Sequence, residues 1–179
     1  GGLVGEITVA GPTATDAYFN RDAATHAAKI REVLPDGSTR IVHRMGDVGY
    51  FDSEGRLWFC GRKTQRVVTA DDTLCTEQVE PVFNTHREVR RTALVGIGDF
   101  GSQRPVLCVE LRKGVAAAAW PRIEDELRHI GEGFVHTAKV ECFLRYPKAF
   151  PVDIRHNAKI GREKLAAWAA KVVRRVPPG

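Results

Sequence analysis

No apolar run in the 179-residue chain approaches the ~20 residues that crossing a bilayer requires, and the richest stretch, Gly114 to Trp120, is short and mostly alanine. The start lacks a basic segment followed by an apolar one, so it carries no secretory signal pattern. Cysteine is sparse: Cys60, Cys75, Cys108 and Cys142 lie far apart and form no Cys-x-x-Cys pair. Three of them sit in apolar strand-like runs, which argues against a zinc site or a disulfide frame and for reduced, mostly buried thiols of a cytoplasmic protein. The six histidines include no His-Glu-x-x-His spacing, so the metalloprotease signature is missing and no metal ligands are expected in the chain. No repeat of fixed period and no low-complexity tract appears. The net charge is +5, yet only Arg90-Arg91 and Arg174-Arg175 stand as basic pairs and no aromatic-interleaved basic stripe exists. Nucleic acid is therefore not an expected partner, while an anionic nucleotide substrate would account for part of the bias.

What is present is globular: 43% hydrophobic and 27% charged residues, enough for one domain, or one domain and a piece of another. The opening, Gly1-Gly2-Leu3-Val4-Gly5-Glu6, reads as the middle of a fold. Alternation in Glu6-Ile7-Thr8-Val9-Ala10 predicts a strand that Gly11-Pro12 breaks. The Ala-rich stretch from Asp22 to Ile30 predicts a short helix, and Leu34 to Ser38 a turn leading into a strand at Thr39 to His43. Aromatic-rich strands then flank the hairpin turn Asp52-Ser53-Glu54-Gly55. The pattern changes at Gly61 to Arg66, where a domain boundary is expected: residues 1–62 end one domain and residues 63–179 form a second, α+β in class. In the latter, helices are expected over Glu77–Phe83, Pro121–Ile130 and Arg162–Val173, the last with Leu165, Trp168 and Val172 inward. Strands are expected over Thr92–Ile97, Pro105–Leu111 and Lys139–Tyr146.

Gly96-Ile97-Gly98-Asp99-Phe100-Gly101 matches the dinucleotide fingerprint G-x-G-x-x-G. A pyrophosphate site would need a helix to open there, whereas Ser102-Gln103-Arg104-Pro105 leads into another strand, so a strand-to-strand loop fits better.

Two positions could serve a nucleotide. A ribose offers two vicinal hydroxyls, which one carboxylate can accept as charge-assisted hydrogen bonds. Asp47, in Gly46-Asp47-Val48-Gly49, has small neighbours that allow close approach, and Arg62 at the end of the next strand could reach the same oxygens. Asp in such a Gly-x-x-Gly segment is ordinarily a turn former. Lys159, on a polar stretch before a helix, could place a mobile charge on developing negative oxygens, or be a solvated surface lysine.

The ordered set Gly46-Asp47-Val48-Gly49-Tyr50-Phe51-Asp52-Ser53-Glu54-Gly55, Gly61-Arg62 and Lys159, preceded by Gly5-Glu6-Ile7, resembles the AMP-binding superfamily of acyl-CoA synthetases, luciferases and peptide-synthetase adenylation domains. The resemblance covers essentially the whole chain. It implies that Asp47 binds the ribose hydroxyls with help from Arg62, that Lys159 is the catalytic lysine of adenylation, and that Thr64 is the hinge of a mobile C-terminal domain. Family members usually carry Asp or Lys at the hinge. ATP and Mg²⁺ are implied as cofactors, with the phosphate loop and the Mg²⁺-linked Glu expected upstream of Gly1, so the chain alone is expected to be inactive.

Thioester-forming relatives have a glycine-containing loop after the hinge, whereas Val67 to Thr76 has no glycine and two acids, Asp71 and Asp72. Gly11–Asp16, Gly61–Arg66, Thr76–Phe83 and Phe150–Lys159 resemble a subgroup, the olefin β-lactone synthetases. That resemblance implies a 2-alkyl-3-hydroxy fatty acid substrate, closure of an acyl-adenylate by the substrate's own hydroxyl, and other olefin-biosynthesis enzymes as partners. An internal nucleophile is held beside its carbonyl without a second binding site. Asp153 and His156, near Lys159, are candidates to assist deprotonation. A long-chain acyl-CoA synthetase or acyl-AMP ligase, and a non-catalytic nucleotide-binding module, are the alternatives.

Overall fold

The computed structural model of the protein describes residues 2–153 and 159–175, and the chain divides into two compact units, Gly1–Thr64 and Gln65–Gly179. In the first unit the elements are β1 (Gly5–Ala10), α1 (Asp22–Ala28), β2 (Lys29–Val33), β3 (Thr39–Phe51) and β4 (Leu57–Arg62). All three other strands pair antiparallel with the 13-residue β3. β1 covers one side of it, while β2 and β4 cover successive halves of the other, by the registers Val33↔Thr39 to Lys29↔His43 and Phe51↔Leu57 to Asp47↔Arg62.

Several expectations shift here. The helix ends at Ala28, because Lys29 to Val33 gain ladder hydrogen bonds from β3 instead of continuing a turn. The strand expected to stop at His43 runs on through Gly46-Asp47-Val48-Gly49, so Asp47 lies in a sheet and not in a turn. The alternation of β1 is interrupted by a register shift between Glu6 and Thr8, and Val9 is exposed. The hairpin at Asp52–Gly55 forms as read. The Asp52 carboxylate accepts the amides of Glu54 and Arg56, the Arg56 guanidinium and the Trp58 indole N–H.

The second unit contains β5 (Val67–Val68), β6 (Thr73–Leu74), α2 (Thr76–Phe83), β7 (Val89–Ile97), β8 (Arg104–Leu111), α3 (Trp120–Glu132), β9 (Cys142–Arg145), β10 (Val152–Asp153), β11 (Lys159–Ile160) and α4 (Arg162–Arg175). β8 is the middle strand of a three-stranded sheet, antiparallel to β7 and parallel to β9. G-x-G-x-x-G is the β7–β8 connection, as its flanks required. One sheet face buries Leu94, Leu107 and Val109 against Val79 and Phe83 of α2 and Ile123 and Leu127 of α3. The other buries Ala93, Val95, Val106 and Cys108 against Leu165 and Ala169 of α4. Each such aliphatic or aromatic side chain contributes about 1.5–3 kcal/mol by leaving water. The unit is thus a sheet between helix layers, a mixed α/β arrangement. Pro81 lies within the eight-residue α2, so the helix ladder loses one N–H there. The strand expected over Lys139–Tyr146 is shorter, because Val140 enters the core from a turn closed by its N–H to Thr137 O at 2.9 Å. No disulfide links the four cysteines, of which three are buried and Cys142 is half-buried.

Candidate functional site

Asp47 is set by its strand neighbours. Gly46 takes a φ of +70°, a left-handed conformation that bends the strand just before Asp47 and that L side chains rarely adopt. Two residues on, a Cβ at Gly49 would stand 2.5 Å from Trp58 O, so only glycine lets β3 and β4 approach there. That approach puts Asp47 opposite Arg62, with Arg62 Nε 3.2 Å from Asp47 Oδ1 and an Arg62 terminal nitrogen donating to Met45 O at 3.1 Å. Arg62 is within ion-pair range yet not aligned as a donor. Asp47 Oδ1 is buried and accepts no hydrogen bond among the described residues. That oxygen is closed off from solvent, while the Asp47 side chain as a whole keeps 20% of its surface exposed beside the half-exposed Arg62. His43 Nδ1, on the same strand, is a second such buried atom that sequence reasoning did not single out.

The linker is held on both sides of Thr64. Before it, Lys63 Nζ lies 2.8 Å from Glu6 Oε2, which also takes Arg44 at 2.5 Å. The Arg44 and Lys63 hydrogen bonds hold the Glu6 carboxyl below its ordinary range. After it, Gln65 Oε1 accepts Arg162 Nε at 3.2 Å. Thr64 itself is exposed.

Lys159 is exposed and opens β11, a two-residue strand pairing antiparallel with β10. Its register partner is Asp153, which puts the two Cβ atoms about 5 Å apart. Sequence proximity had suggested this neighbourhood, and pairing makes it a cross-strand one. His156 lies outside the described residues. Gly161 N–H donates to Pro151 O at 2.7 Å and closes the base of the ribbon, and α4 begins at the next residue.

Between β5 and β6 the glycine-free loop is closed by its own acids. Thr69 Oγ1 bonds Asp71 Oδ1 at 2.9 Å, and Lys139 Nζ sits 3.0 Å from both Asp71 Oδ2 and Asp72 Oδ2. The Lys139 ammonium holds both carboxyls below their ordinary range. Among the described residues one group has the spacing of a metal site, His86, Glu88 and Glu126. There Arg122 lies 2.6 Å from Glu88 and 2.9 Å from Glu126, so a guanidinium already balances those carboxylates.

No protein-family model matches the chain. It is 70% identical over 170 residues to an olefin β-lactone synthetase of Xanthomonas campestris pv. campestris, and 68% over 169 residues to one of Stenotrophomonas maltophilia. These matches cover 95% and 94% of this chain but 30% of each relative, so the chain spans under a third of their length. A 2-succinylbenzoate–CoA ligase of Bacillus cereus is 33% identical over 78% of the chain and 27% of the ligase. Among solved structures, the amide bond synthetase McbA of Marinactinospora thermotolerans superposes with a TM-score of 0.70 at 25% identity, covering 94% of this chain and 31% of McbA. The O-succinylbenzoate coenzyme A synthetase MenE of Bacillus subtilis, solved with AMP, gives 0.67 at 26% identity, covering 91% of this chain and 30% of MenE. The chain belongs to the AMP-binding, adenylate-forming superfamily and corresponds to the C-terminal part of its members.

Proposed function

We propose that the chain supplies the ribose clamp, linker and catalytic lysine of an ATP-dependent enzyme that converts a 2-alkyl-3-hydroxy fatty acid to a β-lactone. The observation that carries the nucleotide reading is the partly exposed Asp47 carboxylate set opposite the half-exposed Arg62 guanidinium across β3 and β4. Ribose hydroxyls donate to that carboxylate, while Arg62 donates to the sugar oxygens. In the first step a carboxylate oxygen of the acid attacks the α-phosphorus, the bond to the β-phosphate oxygen breaks, and pyrophosphate leaves. Lys159, exposed and strand-borne, brings a positive charge to the oxygens on which negative charge gathers. In the second step the 3-hydroxyl oxygen bonds the acyl carbon and loses its proton, and AMP departs with the former carboxylate oxygen. The nucleophile belongs to the substrate, so ring closure needs only orientation and exclusion of water.

Mg²⁺ would enter with ATP and offset phosphate charge. Among the described residues, the first unit offers no group of three metal ligands beside Asp47. Thr64 suits a hinge, because Lys63 and Gln65 on either side are anchored while Thr64 is exposed. Asp153 opposite Lys159 suits a positioning role for the lysine; His156 remains a candidate general base on sequence grounds. The subgroup assignment rests on the 70% identity and on the loop whose two acids are clamped by Lys139.

The test is product analysis of the full-length protein with ATP, Mg²⁺ and a 2-alkyl-3-hydroxy acid, with and without CoA. A β-lactone formed without CoA is the expected outcome. A thioester formed only with CoA would make the protein an acyl-CoA ligase, and nucleotide binding without any product would make it a binding module.

A further inference from the structure

We infer that Arg162 is a positioning residue that couples the linker at Gln65 to the ribbon bearing Lys159. The inference rests on the proposed role of Lys159. Arg162 opens α4, three residues after Lys159, and its side chain is only 15% exposed. Its guanidinium reaches three separate elements. It pairs with both carboxylate oxygens of Glu80 on α2, at 3.0 Å for Oε2. It also donates to Leu94 O of β7 at 3.3 Å and to Gln65 Oε1 at 3.2 Å. Glu80 is fixed in turn by the Leu94 amide, which donates to its Oε1 at 2.8 Å.

The path from this guanidinium to Lys159 is short. Gly161 is held to Pro151 O by its N–H and carries the amides of Lys164 and Leu165 on its own carbonyl, at 3.1 and 3.2 Å. A Cβ at Gly161 would stand 3.3 Å from Pro151 O, so the connection fits closely against the ribbon's other strand. A movement of Gln65 is therefore felt at the guanidinium, and a movement of the guanidinium at the base of the lysine ribbon.

An ordinary buried ion pair would need only Glu80 and Arg162. The bond to Gln65 adds little to burial of that pair, and it joins the residue next to Thr64 to the element that carries the lysine. The planar guanidinium meets four acceptor atoms here, the two Glu80 oxygens, Leu94 O and Gln65 Oε1, one more than the three protons of a lysine ammonium can serve.

The experiment uses the full-length protein and the variants Gln65→Ala, Arg162→Lys and their combination. Amide hydrogen exchange at Gly161, the thermal midpoint, and kcat and KM for ATP in adenylation are measured for each. Gln65→Ala is expected to leave the midpoint and KM unchanged, to speed exchange at Gly161, and to lower kcat about threefold or more. Arg162→Lys is expected to act in the same direction and further, with the double variant no worse than Arg162→Lys alone, because both act on one path. Unchanged exchange at Gly161 in Gln65→Ala would overturn the coupling, as would losses that multiply in the double variant or a kcat that falls only with the folded fraction. If Lys159→Ala leaves adenylation intact, the functional reading fails, while the Gly161 exchange still decides whether the coupling exists.

Discussion

Replacing Asp47 with alanine removes the carboxylate that the ribose is proposed to meet. Two charge-assisted hydrogen bonds would be lost, each worth about 1.5–3 kcal/mol, with Arg62 still able to donate to the sugar. A net loss of about 3 kcal/mol in transition-state binding corresponds to a fall of roughly a hundredfold in kcat/KM for ATP. The folding cost is small. Arg62 has a side chain 49% exposed and keeps its bond to Met45 O, so breaking the Asp47 pair costs within about 1 kcal/mol. Binding and stability therefore separate, and 2′-deoxyATP reports on the contact itself. The wild-type full-length protein should use 2′-deoxyATP about tenfold less well than ATP, one charged hydrogen bond being absent. Asp47→Ala should lose most of that preference. If the variant discriminates between the two nucleotides as strongly as wild type, Asp47 does not hold the ribose and the clamp is refuted.

Lys159→Ala should lower adenylation by about a hundredfold or more without moving the thermal midpoint, since the side chain is exposed; a fall in activity that tracks lost folding would refute its chemical role. Glu80→Ala should destabilise by about 3–5 kcal/mol, because it strands the Arg162 guanidinium in the interior, and denaturant unfolding checks this. Asp52 is held down to about 2 by the Trp58 indole N–H first and then by Arg56. A depressed folded pKa gives stability that is present above the unfolded value and lost as pH falls through the folded one. The difference in thermal midpoint between wild type and Asp52→Asn should thus be constant at neutral pH and shrink between about 4 and 2; a difference independent of pH would contradict it.

The hydrophobic period was enough to place α3, where Ile123 and Leu127 are both fully buried, and the β7–β8 hairpin with its glycine-rich connection. In α4 Leu165 is fully buried, with Trp168 and Val172 both half-buried, and Ala169 joins Leu165 in the core. Local signals failed where pairing overrode them. Gly46 and Gly49 look like turn residues in isolation, yet β1 on one side and β4 on the other hold that segment in a long strand. Asp47 and Arg62 were legible as candidates from the family resemblance, whereas the unsatisfied oxygen between them depends on side-chain alignment that no spacing encodes. The Glu80–Arg162 pair joins residues 82 positions apart, and the Lys139 clamp on Asp71 joins residues 68 apart. One sequence offers no signal for such partners beyond their charge.

The proposed chemistry turns on activation of the acid as an acyl-adenylate. The most direct measurement supplies the full-length protein with ATP, Mg²⁺ and a 2-alkyl-3-hydroxy acid labelled with ¹⁸O in both carboxylate oxygens, then weighs the products by mass spectrometry. Attack by the carboxylate on the α-phosphorus must deliver one labelled oxygen to AMP and leave the other in the β-lactone carbonyl. Labelled AMP together with singly labelled lactone is the predicted result; unlabelled AMP, or a lactone formed without AMP, would contradict it.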